Sequence, residues 1–200
     1  MTQFSLFGAE AVPPALDDLD GLLLAGGQWV RAGADARLSV VVADRWRADA
    51  LADAFAQLGV GGADAIIEAP SGYGVRTAFT PELVALAARW TRGANQGVPT
   101  GFQLGVGGLR LWAVAAGRRD DIGYLLTTVE PDDPMHRVAG AQLSRLGVAA
   151  VSLAQRGGPG WRVTSGRRLR RLVELLGPAP SGGERDWPVT TVIVGPLSKS

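Results

Sequence analysis

Leu19-Asp20-Gly21-Leu22-Leu23-Leu24-Ala25-Gly26-Gly27 and Leu109-Arg110-Leu111-Trp112-Ala113-Val114-Ala115-Ala116-Gly117 decide the fold, because each leads into nearly the same succession of segments. After the first comes a β-prone run, Arg37-Leu38-Ser39-Val40-Val41-Val42, then a helical stretch ending in Gln57-Leu58-Gly59-Val60. Val75-Arg76-Thr77 and Leu83-Val84-Ala85-Leu86 complete the unit. After the second come Tyr124-Leu125-Leu126-Thr127-Thr128-Val129, Arg145-Leu146-Gly147-Val148, Trp161-Arg162-Val163 and Leu169-Arg170-Arg171-Leu172. Aligning Arg76 with Arg162 sets Leu83 on Leu169 and Leu86 on Leu172 without a gap. A repeat of about 80 residues is too long for a solenoid unit. It reads as one domain made of two similar halves about a pseudo-twofold axis.

Local signals fill in each half. Asp17, Asp18 and Asp20 suit the positive end of a helix running from Leu16 to Ala25, and Gly26-Gly27 stops it. Residues 28–33 and 37–43 suit a hairpin. Asp44 is an N-cap candidate for a helix over 46–58, with Gly59 at its C-terminal end. Strands are expected at 63–69 and 73–79, and Thr80-Pro81 opens a helix to about Arg92. The second half repeats the order: helix 107–116, strands within 118–129, helix 133–146, strands 148–155 and 160–164, helix 166–176. The expected organisation is an arm at 1–15, a first half at 16–93, a linker at 94–104, a second half at 105–177, and a linker and tail at 178–200. Val189 to Val194 is β-prone, either an edge strand or part of the tail.

Composition narrows the chemistry. The 200 residues hold no Cys and one histidine, His136, so disulfides, thiolate catalysis, a Cys-containing zinc site and a His-based triad within one chain are excluded. His136 follows an acidic helix start and is expected to be structural or solvent-facing. Gly59-Val60-Gly61-Gly62 and Gly105-Val106-Gly107-Gly108 lack the Gly-Lys-Ser/Thr of a phosphate loop. No basic-plus-apolar leader and no membrane-length apolar run is present, which sets the expectation of a cytoplasmic protein without a membrane partner. The net charge of +1 hides an asymmetry. Residues 1–100 carry seven basic against eleven acidic groups; residues 101–200 carry thirteen against eight. From Arg156 to Arg171 six arginines meet no acid, a pattern that serves either as an anion footprint or as a solvated helix face.

The duplicated helix–β–β–helix–β–β–helix unit, with a first helix rich in Leu, Ala and Gly, resembles the LAGLIDADG fold of homing endonucleases and of WhiA-type regulators. The resemblance spans most of residues 16–177 and implies an α+β, pseudo-twofold αββαββα single-chain domain with antiparallel sheets. It implies that the two motif helices cross closely, for which Gly21, Ala25 and Gly26, and Ala113, Ala116 and Gly117, are small enough. Active members place an acidic residue at the eighth motif position of each half, and the pair holds divalent metal for phosphodiester cleavage. Here those positions are Gly26 and Ala116, neither of which ligates a metal. The resemblance therefore implies binding without cutting: no catalytic residue, no metal, no cofactor. Its partner is DNA, duplex by preference, held in a saddle formed by the two sheets. Arg31, Arg37, Arg76, Arg118, Arg119, Arg156 and Arg162 are the candidates to face it, and each has an outer-face alternative. Arg167, Arg168, Arg170 and Arg171 fall on a helix and suit phosphate contact or solubility.

Near the N-terminus, Gln3-Phe4-Ser5-Leu6-Phe7 resembles the bacterial sliding-clamp-binding motif. In that motif Leu6 and Phe7 enter an apolar pocket while the Gln3 amide bonds the rim. The alternative is that Phe4, Leu6 and Phe7 pack on the domain's own core. Together these readings give the expectation: a non-enzymatic, nucleoid-associated DNA-binding protein tied to replication or repair through the clamp. A WhiA-type transcriptional regulator and a protein-interaction scaffold are the alternatives.

Overall fold

The structure, a computed structural model, describes residues 13–93, 95–128, 134–153 and 158–190. The first motif begins as a 3-10 turn, Leu16–Leu19, where the Asp18 carboxylate accepts the Ala15 N–H at 3.0 Å. It tightens into helix α1 (Asp20–Leu24), and Gly26 reverses the chain at φ 89°. The helix expected over 16–25 is thus a shorter, two-part element. Strands β1 (Gln28–Ala32) and β2 (Asp35–Val42) form the hairpin, turning at Gly33-Ala34. Helix α2 (Arg45–Gln57) comes next. Then β3 (Ile66–Ala69) and β4 (Gly72–Arg76) pair across Pro70-Ser71. A 3-10 turn at Pro81–Leu83 leads into α3 (Val84–Arg89), which ends three residues before the expected limit.

Residues 94–104, expected as a linker, are tied to the domain at their described positions. Strands β5 (Thr91–Arg92) and β6 (Asn95–Gln96) form a small ribbon. The Gln96 amide donates to Gly27 O (3.0 Å) and accepts the Trp29 N–H (3.2 Å). Further on, the Gln142 side chain accepts the Leu104 N–H at 2.9 Å and donates to Phe102 O at 3.0 Å. The connection is therefore stitched to both halves.

The second half repeats the plan. Helix α4 (Val106–Ala116) runs directly into β7 (Gly117–Asp120), and β8 (Gly123–Thr127) returns. Helix α5 (Pro134–Arg145), strands β9 (Val151–Leu153) and β10 (Gly160–Val163), and helix α6 (Gly166–Leu176) complete it. The two four-stranded antiparallel sheets have the same topology, β1-β2-β4-β3 and β7-β8-β10-β9. This duplicated α+β architecture is the one the motifs imply.

The core lies between the sheets and the helices. Strand β2 alternates with period two, so Ala36, Leu38, Val40 and Val42 are buried while Arg37, Ser39 and Val41 face away from the helices. Leu19, Leu22, Leu23 and Leu24 meet Leu109, Trp112 and Ala113 where α1 packs on α4. The closest approach pairs Gly21 with Gly108, one residue ahead of the second motif, where a methyl on Gly21 would overlap the Gly108 carbonyl. Small residues do permit the crossing, but Ala113 and Ala116 are not the ones that Gly21 meets. At the start of α1 the buried Asp20 carboxylate accepts Arg89 Nη2 and Trp90 Nε1, both at 2.6 Å. Burial pushes this carboxyl up to about 6, against the pull of Trp90 and Arg89.

Residues 178–188, expected to be a linker, fold back on the domain. Trp187 is buried; its Nε1 donates to Gly177 O (2.9 Å), and the Arg110 guanidinium lies 5.3 Å over its ring. Arg110 Nη1 also donates to Leu176 O and, at 2.8 Å, to Pro178 O. Among the described residues no helix is long and apolar enough to cross a membrane.

Candidate nucleic-acid interface

Each sheet turns one face to the helices and one away from them. Strand register determines which arginines share the outward faces. Directly opposed residues of antiparallel strands project to the same side. Arg37 opposes Val30, and Arg76 opposes Ser39, so both lie on the open face of the first sheet. Arg118 and Arg162 both oppose Leu125, on the open face of the second. Leu125 is fully buried there although it points away from the core; Arg118 and Arg162 stand opposite it on the two neighbouring strands, and its Cδ1 leans over Gly160.

Two sequence candidates are placed otherwise. Arg31 opposes Ala36, and Arg119 opposes Tyr124; both partners are buried beneath the helices. Arg31 and Arg119 thus belong to the helix-side faces and emerge at the free edges β1 and β7. A single step of strand alternation separates them from the open faces. Arg156 and the whole of Gln3, Phe4, Ser5, Leu6 and Phe7 lie outside the described residues.

Counted from the end of each motif helix, the rows Gln28–Ser39–Arg76 and Arg118–Leu125–Arg162 correspond. Arg76 and Arg162 therefore stand on the third strand of their sheets at matching heights. The open-face arginines are held rather than loose. The Arg37 guanidinium lies 4.4 Å over the Phe79 ring, and Arg76 Nε donates to Asp64 O at 3.0 Å. Arg162 Nη2 is ion-paired to Asp120 at 2.7 Å, whereas Arg118 is exposed. Val30, Val41 and Ile67 are exposed alongside Arg37 and Arg76, so the first face is partly apolar.

Between the sheets, below the ends of the motif helices, lies a cleft of about 1140 Å³. Ala25, Ala116, Arg47, Arg118, Asp120 and Asp186 are among the residues that line it. Its buried cation is Arg47, a residue the sequence did not single out. Arg47 Nη1 donates to Val114 O (2.7 Å) and its Nη2 to Gly117 O (2.8 Å). Its Nε donates to the Asp44 carboxylate at 2.9 Å, and Asp186 approaches Nη2 at 3.5 Å. The Asp44 side chain is thus engaged with Arg47 and makes no cap bond to α2. A guanidinium at the C-terminal end of α4 satisfies orphan carbonyls and complements the negative end of the helix dipole. One signal for it was visible: Arg47 sits in the first turn of α2, where a positive charge opposes that helix's own dipole.

This arrangement does not fit a divalent metal at the helix ends. Gly26 and Ala116 offer no side-chain oxygen; of the carboxylates that line the cleft, Asp44 and Asp186 flank Arg47, Asp120 pairs with Arg162, and Asp121 has no counterpart in the first half. Among the described residues no group of three or more acidic or histidine side chains is placed to hold a metal. The Tyr124 hydroxyl is buried beside Gly117, and desolvation raises its pKa, so the phenol remains protonated. His136 is also structural. Its ring nitrogens lie 2.8 Å from Thr128 Oγ1 and Ser152 Oγ, it stacks on Trp161, and burial lowers its pKa.

No family model and no curated protein matches the chain. Solved structures do match. One is that of I-DmoI in complex with DNA and Mn, 15% identical, covering 81% of this chain and 96% of that one, with a TM-score of 0.49. Another is of mesophilic variants of the homing endonuclease I-DmoI, 14% identical, covering 80% and 93%, with a TM-score of 0.50. At such identity the likeness speaks for architecture alone: the chain has the LAGLIDADG-like fold of that homing endonuclease.

Proposed function

We propose that the protein binds duplex DNA across its two open sheet faces and does not cut it. The observation that carries this reading is the matched pair Arg76 and Arg162, set at equivalent heights on two outward faces with Arg37 and Arg118 beside them. Two such faces related by a pseudo-twofold axis suit a duplex, whose backbones are themselves related by twofold symmetry. The arginines supply phosphate and base-edge contacts. The fold is shared with a homing endonuclease, which favours DNA over other polyanions. Absence of cleavage is supported by Gly26 and Ala116 and by Arg47, whose fixed charge stands at the end of α4.

The partner that localises this activity is the bacterial sliding clamp, engaged through Gln3-Phe4-Ser5-Leu6-Phe7 in replication or repair. Tethering raises effective concentration, so four open-face arginines suffice without high intrinsic affinity. A cytoplasmic, nucleoid-associated location accords with that partner.

The test is anisotropy of a labelled duplex of about 20 base pairs over a salt series, the slope reporting the phosphates contacted. The reading predicts a steep loss of affinity with salt and a shallower slope for R76Q/R162Q. Absence of binding at low salt overturns it. Plasmid nicking with Mg²⁺ or Mn²⁺ would overturn the non-cutting half alone. For the tether, Leu6→Ala with Phe7→Ala abolishes clamp capture and leaves duplex affinity unchanged; retained capture removes the clamp from the proposal.

A further inference from the structure

Helix α6 carries a second basic surface that the saddle does not use. Its apolar side, Leu169, Leu172 and Leu176, is buried where α6 packs on α4. At 100° per residue, Arg167, Arg170 and Arg171 project from the opposite side, with Arg168 on its flank. All four are exposed. With Ser165 and Glu174 they line a shallow hollow of about 630 Å³. Arg171 pairs with Glu174 at 3.5 Å, whereas Arg167, Arg168 and Arg170 have no ion pair among the described residues. Because α6 lies in the helix layer, this surface is separate from the open sheet faces.

The charge arrangement runs against the helix's own stability. The first turn of α6 contains no acid and two arginines, placing like charge at the positive end of the dipole. Solubility alone is served equally well by interspersed acids, or by arginines placed near the C-terminal end. A surface with Arg167 and Arg170 uncompensated on the outer side of a helix, and Arg168 uncompensated on its flank, is complementary to a polyanion. Guanidinium also forks onto phosphate oxygens, and all four groups border the same hollow within about one turn of α6.

We infer that the outer side of α6 is a second nucleic-acid surface, which holds the phosphate backbone of a duplex other than the one in the saddle. This goes beyond the saddle reading and rests on it only for the first duplex. The α6 surface reads no sequence, because its arginines stand on a helix outside the open sheet faces and meet the phosphate backbone alone. The protein then bridges two duplex segments, one on each side of the domain.

The experiment uses the full chain and duplexes of about 20 base pairs. An immobilised duplex captures the protein, and retention of a second, labelled duplex is measured. Wild-type protein is expected to retain it. R167Q/R168Q/R170Q/R171Q keeps capture on the first duplex and loses retention of the second; the arginine-to-lysine set restores it, because a point charge still meets phosphate. In a background of R37Q/R76Q/R118Q/R162Q, the remaining duplex affinity falls by up to about a hundredfold between 50 and 200 mM salt, as four phosphate contacts require. Circular dichroism establishes folding of both sets, and the α6 glutamines replace exposed arginines. Failure of wild-type protein to retain a second duplex, or retention unaffected by the glutamine set, overturns the inference. If polyglutamate binds α6 more tightly than duplex, the surface serves an acidic protein and the nucleic-acid assignment fails. If the α6 set removes all duplex binding while the saddle set removes none, the saddle reading fails and α6 stands alone.

Discussion

Gly21→Ala tests the helix crossing on which both halves depend. A methyl built on Gly21 overlaps the Gly108 carbonyl oxygen and lies 2.5 Å from its carbon and 2.8 Å from its Cα. The obstacle is backbone, so no rotamer change relieves it. To reach ordinary contact, α1 and α4 must separate by more than about an ångström. A gap of that size forfeits about half or more of the dispersion energy of each facing pair. The affected surface includes Leu22, Leu23, Leu109 and Trp112, all essentially inaccessible to solvent. Overpacking of this kind costs about 3 kcal/mol, against about 1 kcal/mol returned by replacing a helical glycine with alanine. The net loss of about 2 kcal/mol lowers the melting temperature by roughly 4–8 °C for a chain of this size. Thermal unfolding followed by circular dichroism reads it directly. Gly108→Ala serves as comparison, since its methyl meets mainly the movable Leu104 Cδ1 at 2.8 Å, and should cost less. Gly166→Ala, with nothing within 4 Å, should be neutral or slightly stabilising. A Gly21→Ala protein that melts at or above the wild-type temperature refutes the close crossing.

Arg47→Met leaves the Val114 and Gly117 carbonyls without their donor and is expected to cost about 3 kcal/mol in chemical denaturation. Arg47→Lys should recover only part, because an ammonium cannot reproduce the fork; full recovery would point to charge alone. Asp20 gives a pH signature. Its folded pKa of about 6 lies above the unfolded value, so the folded state holds the proton more tightly and stability falls as pH rises from about 4 to 6. Asp20→Asn should flatten that slope, and an unchanged slope would assign it to other groups. Trp187→Ala should destabilise by about 3 kcal/mol or more, as loss of a buried indole does. A protein indifferent to that change would mean residues 178–188 contribute no packing.

The fold was legible because its signals are local and occur twice. Leucine and glycine spacing defined the two motifs, and period-two alternation defined β2. Glycine, proline and acidic punctuation placed α2, α5 and α6 within a residue or so. The duplication also identified Arg76 and Arg162 as a pair, since equivalent residues of a repeat occupy equivalent strands. Ends of elements were less well marked: the 3-10 turns before α1 and α3 begin at the same acidic and Thr-Pro signals that would open a longer helix.

Contacts distant in sequence were decided only by folding. Arg118 and Arg119 are adjacent and chemically identical, and just the register of β7 against β8 sends one outward and the other to the helix side. Arg47 reads as a surface arginine until α2 sets it beside carbonyls about seventy residues away in sequence. Trp187 reads as part of a linker until Gly177 and Arg110 receive it. Residue order is enough to establish two copies of one unit without carboxylates at the eighth motif positions, because composition and periodicity are short-range properties. Packing settles which charges stay exposed and which are consumed internally, because that depends on the surfaces the two copies bury against each other.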